Sequence, residues 1–165
     1  MTHASDSLQP HTIVALVEDR PGVLARIVAA CQDKAFNIRS LAVGASEKPG
    51  FSRVTFVVDA SIDAEEMVSQ LRALPEITQM DDISAHEFVS RELALIRVSG
   101  GKDMRTRIME IVTTFNAKVV DVSPASMILE VTGHEAKIDS LMRLLADYDV
   151  VEMVRTGRIS MVRGR

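Results

Sequence analysis

The sequence predicts an α+β protein made of two consecutive βαββαβ units, each a four-stranded antiparallel sheet covered on one face by two helices. Three observations predict it. Short β-rich runs alternate with stretches whose apolar residues recur at helical spacing, turn-forming residues separate them, and the same order of elements occurs twice. That order is the ferredoxin-like arrangement, used once in each half of the chain.

In the first half, Thr12 to Val17 is a strand that stops at Glu18, Asp19, Arg20, Pro21 and Gly22. Leu24, Ile27, Val28 and Cys31 then recur on one face of a helix ending near Phe36. Ile38 to Val43 and Arg53 to Val58 follow as strands, separated by Ser46, Glu47, Lys48, Pro49 and Gly50, where Pro fixes φ and Gly accepts conformations other residues avoid. A second helix from about Asp63 to Ala73 is expected to bury Ala64, Met67, Val68 and Leu71, and Glu76 to Ile83 supplies a polar fourth strand.

After a polar stretch from Ser84 to Glu92 the order starts again. Leu93 to Val98 is a strand, Ser99, Gly100 and Gly101 a loop, and Met104, Ile108, Ile111, Val112 and Phe115 mark one side of a helix. Lys118 to Val122 and Ser126 to Thr132 pair around Ser123, Pro124 and Ala125. Ile138, Leu141, Met142 and Leu145 line the last helix, and Val150 to Arg155 is the closing strand. The expected division is a flexible tail 1–10, a first domain 11–84, a linker 85–92 and a second domain 93–165. Each sheet keeps one face without helices, and its apolar strands call for cover from the other unit or from a second chain.

Composition narrows the function. With 47% hydrophobic and 25% charged residues the chain is globular, and with 4% aromatic residues its core is built from aliphatic side chains and Met. A net charge of -4, with Arg and Lys scattered, argues against nucleic acid and against an acidic membrane surface. No apolar run reaches the roughly 20 residues that cross a bilayer. The start MTHASDSLQP has no basic segment followed by an apolar one, so a cytoplasmic protein is expected. Cys31 lies among apolar residues and reads as a buried small hydrophobe. His3, His11, His86 and His134 lack metal-ligand spacing, Asp81 and Asp82 read as a strand-end turn, and Gly100-Gly101 lacks a phosphate-binding context. No catalytic residue, metal ligand or cofactor is assigned.

Two local features bear on ligand binding. The junction Asp19, Arg20, Pro21, Gly22, Val23, Leu24 joins a strand to a helix N-terminus, where the first amides lack intrahelical partners and the helix dipole favours an anion. The amides of Gly22, Val23 and Leu24 can receive a small carboxylate; the alternative is that Asp19 merely caps the helix and Pro21 and Gly22 shape its start. Asn37, beyond the end of the same helix, is either a cap or turn residue or a donor and acceptor for the polar end of a ligand. After Arg155, the segment TGRISMVRGR is either a frayed terminus or a basic arm for a negatively charged partner.

The stretch VALVEDRPGVLARIVAACQDKAFNIRSLAVG resembles the ACT-type regulatory domain. Together with PGFSRVTFVV, SRELALIRVS, VVDVSP and VEMVRTGRISMVRG, from about His11 through Gly164, the pattern resembles the small regulatory subunits of acetolactate synthase. The resemblance implies a non-catalytic homodimer that activates a separate, thiamine-diphosphate-dependent large subunit in branched-chain amino-acid synthesis and confers feedback inhibition, usually by valine. It also implies an effector between two side-by-side ACT domains, with Gly22, Val23 and Leu24 as the amide-bearing turn and Asn37 and Ile38 as opposing contacts. Asp19 stands where the family commonly has Asn, and Ala35 where it often has Gly. A stand-alone amino-acid sensor is the alternative, and the RTGRISMVRG-like tail favours the subunit. A small enzyme is disfavoured by the lack of a convergent acid–base set, and an RNA-binding sheet by the lack of a basic-aromatic pattern.

Overall fold

The computed structural model describes residues 10–33, 36–59 and 64–164 and divides into two compact units, Met1–Val89 with Ile159–Arg165, and Ser90–Arg158. The first unit runs β1 (Pro10–Glu18), α1 (Val23–Asp33), β2 (Asn37–Ala45), β3 (Phe51–Asp59), α2 (Ala64–Arg72) and β4 (Ile77–Asp82). Its sheet has the order β2-β3-β1-β4 and every neighbouring pair is antiparallel. Alternation along β1 sends Ile13, Ala15 and Val17 to the helical side. There they meet Val54, Phe56 and Val58 of β3, Val23, Ile27 and Cys31 of α1, and Met67, Val68 and Leu71 of α2.

One expectation for α1 changes. The buried stripe is Val23, Ile27 and Cys31, while Leu24 and Val28 are 39% and 37% exposed. Apolar residues on adjoining rows of a helix form a stripe wider than the sheet covers, so the flanking row is left outside. The described part of the helix runs to Asp33, and Phe36 packs on the core from just ahead of β2. Asp63 and Ala35 lie outside the described residues, as does the tail as far as residue 9. Pro10 already belongs to β1.

The other face of this sheet is also covered: Thr12, Leu16, Thr55 and Val57 are 2%, 5%, 7% and 3% exposed. Beside β3, in the same unit, runs β9 (Ile159–Val162). The terminal segment is therefore ordered, a correction to the frayed-end alternative.

The second unit repeats the topology with β5 (Phe88–Ser99), α3 (Lys102–Thr114), β6 (Lys118–Val122), β7 (Ser126–Gly133), α4 (Glu135–Leu145) and β8 (Asp149–Arg155), in the sheet order β6-β7-β5-β8, and β9 pairs with β5. Ala94, Ile96, Val98, Ile108, Val112, Leu129, Val131, Ile138, Leu141 and Leu145 form its core. The expected linker 85–92 is only partly a linker. Phe88 to Glu92 belong to β5.

Among the described residues no helix is long and apolar enough to cross a membrane, and no group of three His, Cys, Asp or Glu side chains is arranged to hold a metal ion.

Candidate functional site

The β1–α1 turn is shaped by Gly22, whose φ of +89° lies in the left-handed region that favours glycine. Val23 opens α1, and the first backbone bond of the helix runs from the Arg26 amide to the Gly22 carbonyl at 3.1 Å. The amides of Val23, Leu24 and Ala25 come ahead of that bond, so the helix itself offers them no acceptor. A Cβ built on Gly22 would meet nothing within 4 Å, so the approach to the turn is open. Asp19 is exposed and its carboxylate makes no hydrogen bond among the described residues, which removes the capping alternative. Its backbone amide instead bonds the Gly50 carbonyl at 2.9 Å, fixing the turn to the β2–β3 connection.

A ring of charges braces the same turn from below. The Glu18 amide donates to the Glu76 carbonyl at 2.9 Å, and the Glu76 side chain is 7% exposed. Arg26 donates from Nη1 to Glu76 Oε1, Arg20 Nη2 lies 3.3 Å from the same oxygen, and Arg20 Nε donates to Glu18 Oε2 at 2.5 Å. Among the described residues Glu76 Oε2 is buried without a hydrogen-bond partner. Nothing in the sequence marked Glu76, which reads as one more polar residue of a weak strand. Only the pairing of β1 with β4 brings it beneath the turn.

Asn37 and Ile38 are the first two residues of β2, so Asn37 is a strand residue and not a helix cap. Asn37 is exposed and sits opposite Asp59, while Ile38 faces Val58 and packs against the core. The register separates them from the turn. Glu18 is opposite Phe51 and Pro10 is opposite Asp59, so the turn after Glu18 and the start of β2 occupy opposite ends of one sheet. The 11 residues of α1 span that separation, about 16 Å at 1.5 Å per residue. The structure therefore brings Asp19, Gly22, Val23 and Leu24 together, and Asn37 with Ile38, but not the two groups within one chain. β2 is an edge strand of its sheet, and the exposed Leu24 and Val28 of α1 lie in the same unit.

Cys31, His134, His11 and Asp82 are buried or engaged in structural contacts. Cys31 is 1% exposed, and burial raises the pKa of its thiol. His134 caps α4 by accepting from the Lys137 amide at 3.2 Å. His11 Nδ1 is 2.6 Å from Asp82 Oδ2, and the Ser84 hydroxyl donates to Asp82 Oδ1 at 2.5 Å. The carboxylate therefore sits between serine and histidine, whereas a nucleophile needs its base as direct neighbour. Burial pushes the Asp82 pKa up, but the Ser84 hydroxyl and amide and His11 outweigh that and hold it below the ordinary value.

Comparison with known proteins decides the family. Residues 13–79 match the model of the acetohydroxyacid synthase (AHAS) small subunit-like ACT domain, and residues 91–164 match that of the small subunit of acetolactate synthase. A probable acetolactate synthase small subunit from Archaeoglobus fulgidus is 43% identical over 155 residues, 93% of this chain and 97% of that protein. The chain belongs to the acetolactate synthase small-subunit family. The acetolactate synthase small subunit of Mycobacterium bovis is 42% identical over 159 residues, 96% of this chain and 95% of its own length. The crystal structure of the small subunit from Thermotoga maritima superposes with a TM-score of 0.86 at 32% identity, covering 95% of this chain and 99% of that one. This small subunit thus carries an ACT domain followed by the family's second domain, and both βαββαβ units and the ordered terminal segment fall within the shared length.

Proposed function

We propose that this chain is the non-catalytic regulatory subunit of an acetolactate synthase: it binds the large catalytic subunit, raises its activity and makes it sensitive to valine or a related branched-chain amino acid. The observation that carries the reading is similarity to small subunits over more than nine-tenths of the chain, spanning both units. The thiamine diphosphate belongs to the catalytic partner, and this chain contributes no cofactor. Its place is the cytoplasm, with branched-chain amino-acid synthesis as its setting.

The effector site lies between two copies. Since the Gly22 turn and Asn37 sit at opposite ends of one sheet, a small amino acid that touches both must take them from different chains. Two copies related by a twofold axis, with their β2 edges side by side and antiparallel, bring the turn end of one sheet against the Asn37 end of the other. That arrangement also covers Leu24 and Val28. The effector carboxylate rests on the amides of Gly22, Val23 and Leu24, its aliphatic side chain meets Ile38, and Asn37 orients its polar end. Asp19 attracts the effector's ammonium group or repels its carboxylate according to the pose, so it tunes affinity.

Regulation follows as a population shift. An effector that binds one arrangement of the dimer more tightly draws the dimer toward it, and the catalytic subunit responds to the change. The test is pyruvate condensation by the large subunit, with and without this chain, across a valine titration. Stimulation with inhibition by valine supports both parts. Stimulation with no response to valine, leucine or isoleucine removes the effector site, and absence of binding and stimulation favours a stand-alone amino-acid sensor.

A further inference from the structure

We propose that Glu76 is a positioning residue for the effector turn, acting through Arg20 and Arg26. The inference rests on the reading that the Gly22 turn binds the effector. The two arginines bracket Gly22 in sequence, one before Pro21 and one in the first turn of α1, and both reach a single oxygen of Glu76. Two guanidinium groups on a short turn repel each other unless an anion lies between them. Glu76 supplies that anion from beneath, on the segment leading into β4, and its carbonyl receives the Glu18 amide as well. Main-chain and side-chain bonds from one residue therefore fix where β1 ends and where α1 begins.

The burial of Glu76 argues for more than stability. Burying a carboxylate is costly even when it is paired, and a well-packed apolar residue at such a place is often as stable or more so. What the carboxylate adds is direction: it draws two cations to one point under the amides that receive the effector. Arg20 and Arg26 keep half-exposed side chains, 56% and 52%, so their positive charge also reaches the mouth of the turn. The clamp holds that charge in place.

The experiment is a double-mutant cycle in the full chain, assembled with the large subunit and titrated with valine, leucine and isoleucine in turn. Arg20→Gln, Glu76→Gln and the double variant are compared for the half-inhibiting concentration of the amino acid that inhibits the wild type. Amide hydrogen exchange at residues 19–26 is followed in parallel. Each single variant is expected to raise that concentration about fivefold or more, and the double variant no further than the larger single, because both remove one clamp. Exchange is expected to speed up at 19–26 while the second unit stays unchanged. Unaltered half-inhibition, or losses that add, overturn the role of Glu76 and leave the effector turn standing. A wild type that binds none of the three amino acids overturns the turn reading and the clamp with it. If Glu76→Gln does not fold, Arg20→Gln decides: unchanged inhibition with it overturns the proposal.

Discussion

The two units share a topology down to its irregularities and differ at the turn from first strand to first helix. In the first, β2 shifts register between Ile38 and Ser40 and β1 between Leu16 and Val17. In the second, β6 shifts between Val119 and Asp121 and β5 between Arg97 and Val98, the corresponding places. Ile27 and Cys31 on α1 match Ile108 and Val112 on α3 as buried helix residues. The strand-to-helix turns, however, are unalike. Gly22 has φ +89° with two arginines clamped on a buried glutamate, whereas Gly101 caps α3 from an ordinary extended conformation, φ −69°, with no side-chain cap. The sheet faces away from the helices differ too. Leu16 and Val57 are buried in the first unit, while Leu95 and Val154, opposite each other in the second, are 39% and 56% exposed. Shared bulges with unlike turns teach that the fold tolerates divergence in a strand-to-helix turn and not where strands must twist together.

Truncating the matched cores probes whether the two halves are equally braced. Phe56→Ala is expected to destabilise by about 3–5 kcal/mol and Leu129→Ala by about 2–5 kcal/mol, since both are fully buried. Calorimetry distinguishes two separate transitions, each shifted by its own substitution, from one shared transition that both shift. The turns offer a sharper contrast. Gly22→Asp forces a residue with a Cβ into the left-handed region and adds a negative charge where the proposed effector site takes a carboxylate. It is expected to raise the half-inhibiting valine concentration about tenfold or more, or about 1.4 kcal/mol. Normal inhibition by this variant counts against the site.

The buried Glu92 and the half-buried Asp82, one acid in each unit, have opposite pH behaviour. Burial pushes the Glu92 pKa up, with Arg155 opposing and Glu135 adding to the rise. Glu92 lies 3.8 Å from Arg155 Nε, and Arg155 also donates to Asp139. With its folded pKa raised, Glu92 favours folding below the ordinary glutamate range, and that contribution is lost as pH rises through the folded value. Glu92→Gln should therefore raise the unfolding midpoint at pH 7, and the gain should shrink as pH falls toward about 4. Asp82, whose pKa is lowered, contributes above its ordinary value and loses that contribution as pH falls through the folded one. Asp82→Asn should lower the midpoint at pH 7 and approach wild type in strong acid. The smallest effect is expected from Gly101→Asp, where the extended backbone and open space suit a capping carboxylate. A gain of a few tenths of a kcal/mol, about 0.3, with effector response unchanged, would set the two turns apart.

By itself the sequence determined the α+β class, the two repeated units and nearly every element, because periods of 2 and 3.6 in the apolar residues are local consequences of backbone geometry. It also marked Gly22 to Leu24, since Pro and Gly between a strand and a helix announce a turn. The terminal strand was hidden: Ile159 to Val162 is too short to declare itself and becomes a strand only through pairing with β5. So was the exposed row of α1, where Leu24 and Val28 share the apolar character of the buried Ile27 and Cys31. Tertiary structure alone decided that Asn37 stands at the far end of the sheet from the turn, and that Glu76 lies beneath it. Both follow from strand order and register, which arise from contacts between residues distant in the chain and leave no periodic trace along it.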